Sequence, residues 1–549
     1  MRREPHPYSG AVYEELGDGT IRVDDKERGK WGRFNLDGTW IEGNLTSADP
    51  NMLQYIGGPT SPPGRDIFWM FLPPSGVEPM AEMSAPPARG GGSDAAQRPK
   101  IIGQYTPDLG KDTGEGKRSV SYIALDRLIA LERKPELLPD VYRQSSPLPG
   151  GPKKVKTARY HDRRYHDLEV EHLWSKTWQM ACREEDIPEV GDYIIYTIVN
   201  RSYLIVRTGE NEIKAHVNAC LHRGRTLREC NGRAVDFRCP YHGWRWGIDG
   251  GLKDIPSEWD FPGVRDDTKQ LGGAQVGTWG GFVFINPDPD CESLSEYMGP
   301  EMIAHYAKIK LENRYRQAWV GRVVKANWKI VQEGFLEAYH SIATHPQLLV
   351  NGGDLTDSRY DVFGNWGRLG HAMPSASSPT RGIIASEEAI TAGWHMSADM
   401  MRGYLQSIIG DEADQFSDME LNESTYSNLF PNFSPWSGWG RIVYRFRPHG
   451  DTPDECLMEA MLLAPWPEGK PKPPPAKLHM LEPEQSWTEA VELGALGRIF
   501  DQDCRNLPNV HIGLKAKQPD HIWYSAYQES IIRNFHNLYE KALGLSDGE

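Results

Sequence analysis

The chain has 549 residues, of which 39% are hydrophobic and 18 are tryptophan, and its formal net charge is −15. That length and apolar content predict two or three domains with sizeable cores, and the acidic balance argues against nucleic acid as the main partner. No stretch approaches the roughly 20 apolar residues of a membrane helix. The start, Met1-Arg2-Arg3-Glu4-Pro5, lacks the apolar core of a secretory signal. Seven cysteines without disulfide-like spacing fit a reducing cytoplasm.

Residues 1–155 form an N-terminal extension to which no chemistry attaches. Trp31 to Ile56 alternates polar and apolar residues between Gly32, Gly38 and Gly43, which predicts short strands. Residues 57–116 are rich in proline, glycine, serine and alanine and read as a linker. Ser119 to Leu138 has helical spacing in Ile123, Leu125, Leu128, Ile129 and Leu131, and Pro147 to Pro152 reads as a second hinge. Residues 156–182 are a helical lead-in, with a helical pattern from Tyr165 to Met180, expected to pack on the domain that follows later. In residues 183–295, Tyr193 to Val206 and Glu212 to Val217 predict a small antiparallel β-domain.

That β-domain carries Cys220-Leu221-His222 and Cys239-Pro240-Tyr241-His242, with sixteen residues between His222 and Cys239. Two thiolates and two imidazoles suit a tetrahedral zinc. They equally suit a two-iron, two-sulfide cluster with cysteines on one iron and histidines on the other. The run Ala219-Cys220-Leu221-His222-Arg223-Gly224, followed by Arg238-Cys239-Pro240-Tyr241-His242-Gly243-Trp244, resembles the Rieske cluster-binding loops of ring-hydroxylating oxygenases. A glycine comes after each histidine loop, Gly224 and Gly243, where backbone would pass close to an inorganic cluster. Arg223, Arg225, Arg228, Arg233, Arg238 and Arg245 against Glu229 and Asp236 leave a local excess of +4. This reads either as a docking surface for an acidic electron donor or as arginines that make subunit contacts or support the loops.

Residues 296–549 hold a second candidate centre. The stretch from Asn327 through Gln332-Glu333-Gly334-Phe335-Leu336-Glu337-Ala338-Tyr339-His340 ends at His345-Pro346. Two histidines and a carboxylate on one face of an octahedron bind non-heme Fe(II) with open positions for dioxygen chemistry. On an ideal helix His340 and His345 lie about 140° apart, but Pro346 pushes His345 out of helical conformation, so both rings can converge. Strands at Gly440 to Pro448 and Cys456 to Pro465, an exposed proline-rich loop from Pro467 to Pro475, and an amphipathic helix from Tyr524 to Leu543 complete the pattern.

Further motifs resemble the same family. Arg498-Ile499-Phe500-Asp501-Gln502-Asp503-Cys504 is similar to its late carboxylate motif. Trp279-Gly280-Gly281-Phe282-Val283-Phe284-Ile285-Asn286 resembles the strand closing the Rieske domain, and Leu429-Phe430-Pro431-Asn432 a late strand of the catalytic domain. The resemblance covers about residues 160–545. It implies an α+β fold, in which a small antiparallel β Rieske domain joins a helix-grip-like catalytic domain with a curved antiparallel sheet. It implies a [2Fe-2S] cluster on Cys220, His222, Cys239 and His242, and a mononuclear Fe(II) on His340, His345 and Asp503, with Asp501 as the fallback ligand. Electrons would come from NAD(P)H through a separate reductase or ferredoxin. The implied reaction is dihydroxylation, monooxygenation or demethylation of an aromatic or other hydrophobic substrate with O2. The implied assembly is a homotrimer, with or without a small β-type subunit. Glu337 stands where the family usually has an aspartate bridging the iron histidine to a neighbour's cluster histidine, and Gly334 where it has an asparagine. A Rieske electron carrier without catalytic iron and a zinc-stabilised interaction protein are the competing readings.

Overall fold

The structure, a computed structural model, describes residues 2–6, 9–58, 125–345, 358–372, 386–437, 441–466 and 469–547. The expected linker lies almost wholly outside these residues, as does the first part of the Ser119 to Leu138 helix, of which Leu125–Ala130 is helical.

The N-terminal extension begins with a folded module. Strands Arg3–Pro5, Val12–Glu15, Thr20–Asp25, Lys30–Asn35 and Trp40–Gly43 pair in chain order as an antiparallel meander. Pro50–Gly57 is a helix where short strands were expected. The Asp49 side chain accepts from the amides of Asn51 and Met52, and Pro50 occupies the first turn, where its missing amide costs nothing. Met52, Leu53 and Ile56 then fall on one face and pack against Tyr13, Ile21, Val23 and Phe34.

The lead-in is helical over a 3-10 turn at Thr157–Tyr160, the α-helix Arg163–Leu168 and a π-turn at Glu169–Leu173. Gln179–Arg183, expected to continue that helix, is a strand pairing with Phe282–Asn286. All five of its residues are buried, so no alternation revealed it. It edges a seven-stranded sheet that includes Asp192–Ile198, Arg201–Gly209, Glu212–Val217 and Gly273–Trp279. A three-stranded sheet of Asp236–Arg238, Arg245–Gly247 and Leu252–Asp254 stands beside it.

The C-terminal part is built on an eight-stranded sheet. Its order is Arg359–Phe363, Trp366–Ala372, Glu423–Leu429, Phe433–Pro435, Ile442–Pro448, Cys456–Pro465, Arg314–Val324 and His479–Leu481, antiparallel except for the last pair. Of Leu429-Phe430-Pro431-Asn432, expected as a strand, Leu429 ends one strand and the other three form the turn to the next, with a cis bond at Pro431. The long helices Leu496–Ala516 and Ser530–Leu543 cover the sheet and share its main core through Phe500, Leu507, Ile531, Phe535 and Tyr539. Tyr524, expected to open the last helix, ends the strand His521–Tyr524, which pairs with Lys153–Lys156.

A buried polar layer lies under the segment leading to His340. Lys329 pairs with Glu169, which also accepts from Trp328 Nε1 and Tyr539 Oη at 2.8 Å each. Glu333 accepts from Tyr524 Oη at 2.5 Å and Tyr160 Oη at 3.1 Å, and lies 3.0 Å from His536 Nε2. Burial pushes its carboxyl up to about 7.

Candidate metal centres

The two Cys-His loops are built alike. In the first, the Cys220 amide donates to the Arg225 carbonyl and the Gly224 amide to the Cys220 carbonyl, both at 2.9 Å. In the second, Cys239 donates to Trp244 at 2.7 Å and Gly243 to Cys239 at 3.1 Å. Each turn needs a left-handed glycine, with φ 73° at Gly224 and 80° at Gly243.

Cys220 and Cys239 are buried, the His222 and His242 rings lie 4.5 Å apart, and Trp244 stacks on His222 at 5.0 Å. Burial holds the His222 ring below the ordinary histidine range. Its buried Nδ1 has no hydrogen-bond partner in the chain, so an imidazole lone pair awaits an external acceptor of electrons. Among the described residues these four donors do not form a group close enough to share one ion, as a single zinc requires. A two-iron cluster, which separates thiolates from imidazoles, fits this wider set.

The helix Trp328–Glu333 stops at Gly334, and a short helical turn, Ser341–Thr344, follows His340. His345 leaves helical conformation at φ −121°, ψ 66°. His340 Nε2 is 3.2 Å from His345 Nε2 and 3.4 Å from Asp503 Oδ1, and His345 Nε2 is 3.0 Å from Asp503 Oδ1. Metal bonds of about 2.1 Å at right angles separate neighbouring ligand atoms by about 3.0 Å, whereas opposed ligands would be about 4.2 Å apart. All three edges match neighbouring positions, so the donors outline one face of a coordination shell. This is the only such group among the described residues.

Around the triad, Glu337 Oε1 is 2.6 Å from His340 Nδ1, and its Oε2 accepts the His340 amide at 2.9 Å. Burial would lower the His340 ring, but Glu337 and Asp503 hold it well above the ordinary range. Burial would raise the Asp503 carboxyl, but His345 and His340 hold it low. Two carboxylates facing two imidazoles favour a divalent cation. Asp501 is turned elsewhere: it accepts from the Ser486 hydroxyl and from the Trp487 amide at 2.9 Å. At Gly334 an added Cβ would meet Leu507 Cδ2 at 3.2 Å, so the helix Leu496–Ala516 presses on the place of the usual asparagine.

Two residues near the triad escaped the sequence reading. Gln502 Oε1 lies 2.8 Å from His345 Nδ1, and Asn506 Nδ2 reaches Thr344 Oγ1 at 3.4 Å. Their i, i+4 spacing beside Asp503 is the signal that could have found them. Five of the six cluster arginines have partners within the β-domain: Arg223 on Tyr241, Arg225 on Glu229, Arg228 on carbonyls, Arg233 on Asp192 and Arg245 on Asp236.

Fold and sites together define a two-centre metalloprotein. The family described as "Ring hydroxylating alpha subunit (catalytic domain)" matches residues 302–545, and "Rieske [2Fe-2S] domain" matches 177–264. The chain belongs to the large subunits of the Rieske non-heme iron ring-hydroxylating oxygenases. It is 29% identical over 292 residues to the large oxygenase component of salicylate 5-hydroxylase from Ralstonia sp., covering 49% of this chain and 66% of that protein. It is 28% identical over 246 residues to the oxygenase subunit of Escherichia coli (strain K12) carnitine monooxygenase, covering 43% and 62%. The chain thus spans just under two thirds of the length of these curated relatives. Its fold is similar to a quaternary ammonium Rieske monooxygenase bound to L-carnitine (TM-score 0.52, 17% identity, 71% of this chain and 95% of that one). It is equally similar to naphthalene 1,2-dioxygenase with indole bound (TM-score 0.52, 19% identity, 72% and 93%).

Proposed function

We propose that this chain is the oxygenase component of a multicomponent system that hydroxylates an organic substrate with O2, using electrons from NAD(P)H delivered by a separate ferredoxin or reductase. The observation that carries this reading is the facial set of His340, His345 and Asp503 in a chain that also holds two Cys-His loops. When bound, the cluster supplies electrons one at a time and the mononuclear iron activates dioxygen. Cys220, Cys239, His222 and His242 would hold the first, and His340, His345 and Asp503 the second. The pure electron carrier is not favoured, since it has no use for the triad.

The protein's own groups have distinct tasks. Gln502 and Glu337 fix the rings of His345 and His340 through their Nδ1 atoms, leaving both Nε2 atoms to the metal. In this reading Glu337 also meets a cluster histidine of a neighbouring copy, which calls for a closed ring of subunits, a homotrimer. His242 is exposed at the tip of its loop, in keeping with such a contact. Tyr426, Trp436 and Tyr444 form an aromatic wall, with Tyr426 and Trp436 centroids 3.8 Å apart. Burial raises both tyrosine hydroxyls, with the Asp503 charge adding to it at Tyr426 and, after Tyr426 itself, at Tyr444, in keeping with a wall near the triad. Such a surface suits an aromatic ring or a quaternary ammonium head, the two substrate kinds named for its relatives. No described helix is long and apolar enough to cross a membrane, and a reducing cytoplasm is the proposed compartment.

The test is iron and acid-labile sulfide analysis, the reduced-state electron paramagnetic resonance spectrum, and oxygen uptake with a reconstituted donor. Expected are a Rieske spectrum, one further iron per chain and substrate-dependent uptake for an aromatic or quaternary ammonium candidate. A colourless protein with one zinc and no sulfide would sink the reading.

A further inference from the structure

The three metal-facing side chains come from two segments far apart in sequence, the turn Ser341–Thr344 with its flanking histidines and the helix Leu496–Ala516. Beyond the triad, hydrogen bonds join them at His345 to Gln502 and at Thr344 to Asn506, the latter a long 3.4 Å. The helix Pro50–Gly57 of the N-terminal module lies across both segments. Asn51 Nδ2 donates to the Ala343 carbonyl at 2.9 Å, between the two histidines. Arg505 Nη1 donates to the Pro50 carbonyl at 3.0 Å, two residues past Asp503. Arg498 donates to the Tyr55 carbonyl, in the last helical turn where carbonyls lack intrahelical partners, and its guanidinium sits 4.7 Å from the Tyr55 ring.

The module helix is itself held by a packed body. Tyr13 Oη accepts the Asp49 amide at 2.9 Å, and His6 lies 3.3 Å from the Asp49 carboxylate. Met52, Leu53 and Ile56 are fully buried against the meander. Two grips on the aspartate helix, seven residues and therefore about 10 Å apart, and one grip on the histidine turn make a three-point attachment.

We propose that the N-terminal module is a clamp on the mononuclear metal site, with Asn51, Arg498 and Arg505 as positioning residues that set the distance between the histidine turn and the aspartate helix. This rests on the reading of His340, His345 and Asp503 as metal ligands. Ligand edges of 3.0–3.4 Å leave little room for drift, and loss of outer support at metal sites costs about 10–100-fold in affinity.

The experiment uses the full chain depleted of its mononuclear metal and titrated with Co(II), with free metal read by an indicator. The Asn51→Ala/Arg505→Ala double variant should bind Co(II) at least about 10-fold more weakly than the parent, while absorbance and reduced-state resonance of the cluster stay unchanged per chain. Arg505→Lys, which keeps a donor for the Pro50 carbonyl, should recover most of the affinity in an otherwise native chain. Equal Co(II) affinity in parent and double variant overturns the clamp and leaves the metal site standing. A parent chain that binds no Co(II) overturns the metal site itself, and the clamp with it.

Discussion

In the Rieske region four candidate ligands fall within residues 220–242, on two turns whose glycines and backbone hydrogen bonds are complete inside each turn. The mononuclear triad instead joins residues 340 and 345 to residue 503, and distant groups hold it: Gln502 and Asn506 from one side, the module helix from another. A site assembled locally depends on its own turns and keeps its shape when remote packing loosens. A site assembled across the domain inherits every weakness of the elements between its parts. The variants below should separate the two, since each should strike the triad or its domain and spare the cluster.

The largest effect is expected from Asp503→Ala. It removes one corner of the face and leaves His340 and His345 without their shared carboxylate, so the mononuclear metal and substrate oxidation should both be lost. The cluster spectrum should remain. Asp501→Ala is the matched control, because that carboxylate serves the Ser486-Trp487 turn; metal analysis should show iron retained there. The reverse pattern would transfer the ligand role to Asp501.

Next comes the buried pair at the helix Trp328–Glu333, which leads to the triad. Lys329 and Glu169 are both essentially inaccessible, at 0% and 1% side-chain exposure. Lys329→Met leaves a buried carboxylate with only the Trp328 and Tyr539 donors, and removing one partner of such a pair costs about 3–5 kcal/mol. Adding Glu169→Gln removes the stranded charge and keeps an acceptor, so it should recover much of that loss. Thermal unfolding followed by tryptophan fluorescence measures both. A double variant no more stable than Lys329→Met would show that the cost is packing and not charge.

The same contrast governs what could be read from the sequence. The candidate cluster ligands could be named from the sequence because a short spacing and two glycines encode the turns by themselves. His340 and His345 were legible through Pro346, which forces the second histidine out of the helix. Asp503 and Asp501 stayed open because positions two apart on a helix point about 200° apart, and only the docking of Leu496–Ala516 decides which one faces inward. The Pro50–Gly57 helix was read as strand because glycine-bounded alternation upstream ran into it, while its cap at Asp49 is local and was there to be seen. Gln179–Arg183 was hidden by being buried on both faces. The arginine excess around the cluster looked like a free field, yet Arg233 finds Asp192 at 2.7 Å across 41 residues, a pairing that spacing does not disclose.

The smallest expected effect concerns pH and the Glu333 network. Burial raises this carboxyl from 4.5 to about 7, so between those values the folded chain keeps a proton that the unfolded chain has released. The folded state therefore binds more protons through that window, and the group's contribution to stability falls as pH rises, by at most about 1.4 kcal/mol per unit. Above about 7 both states have released the proton and the contribution levels off. Glu333→Gln has no proton to hold and keeps an acceptor for Tyr160 and Tyr524, so this slope should vanish. The measurement is the unfolding temperature of parent and variant between pH 5 and pH 7.5, with the cluster absorbance recorded in parallel. The parent should lose stability relative to the variant as pH rises, while the cluster signal tracks pH identically in both. Parallel stability curves would mean that Glu333 is ionised throughout and that Tyr160, Tyr524 and His536 stabilise a buried carboxylate instead of a carboxylic acid.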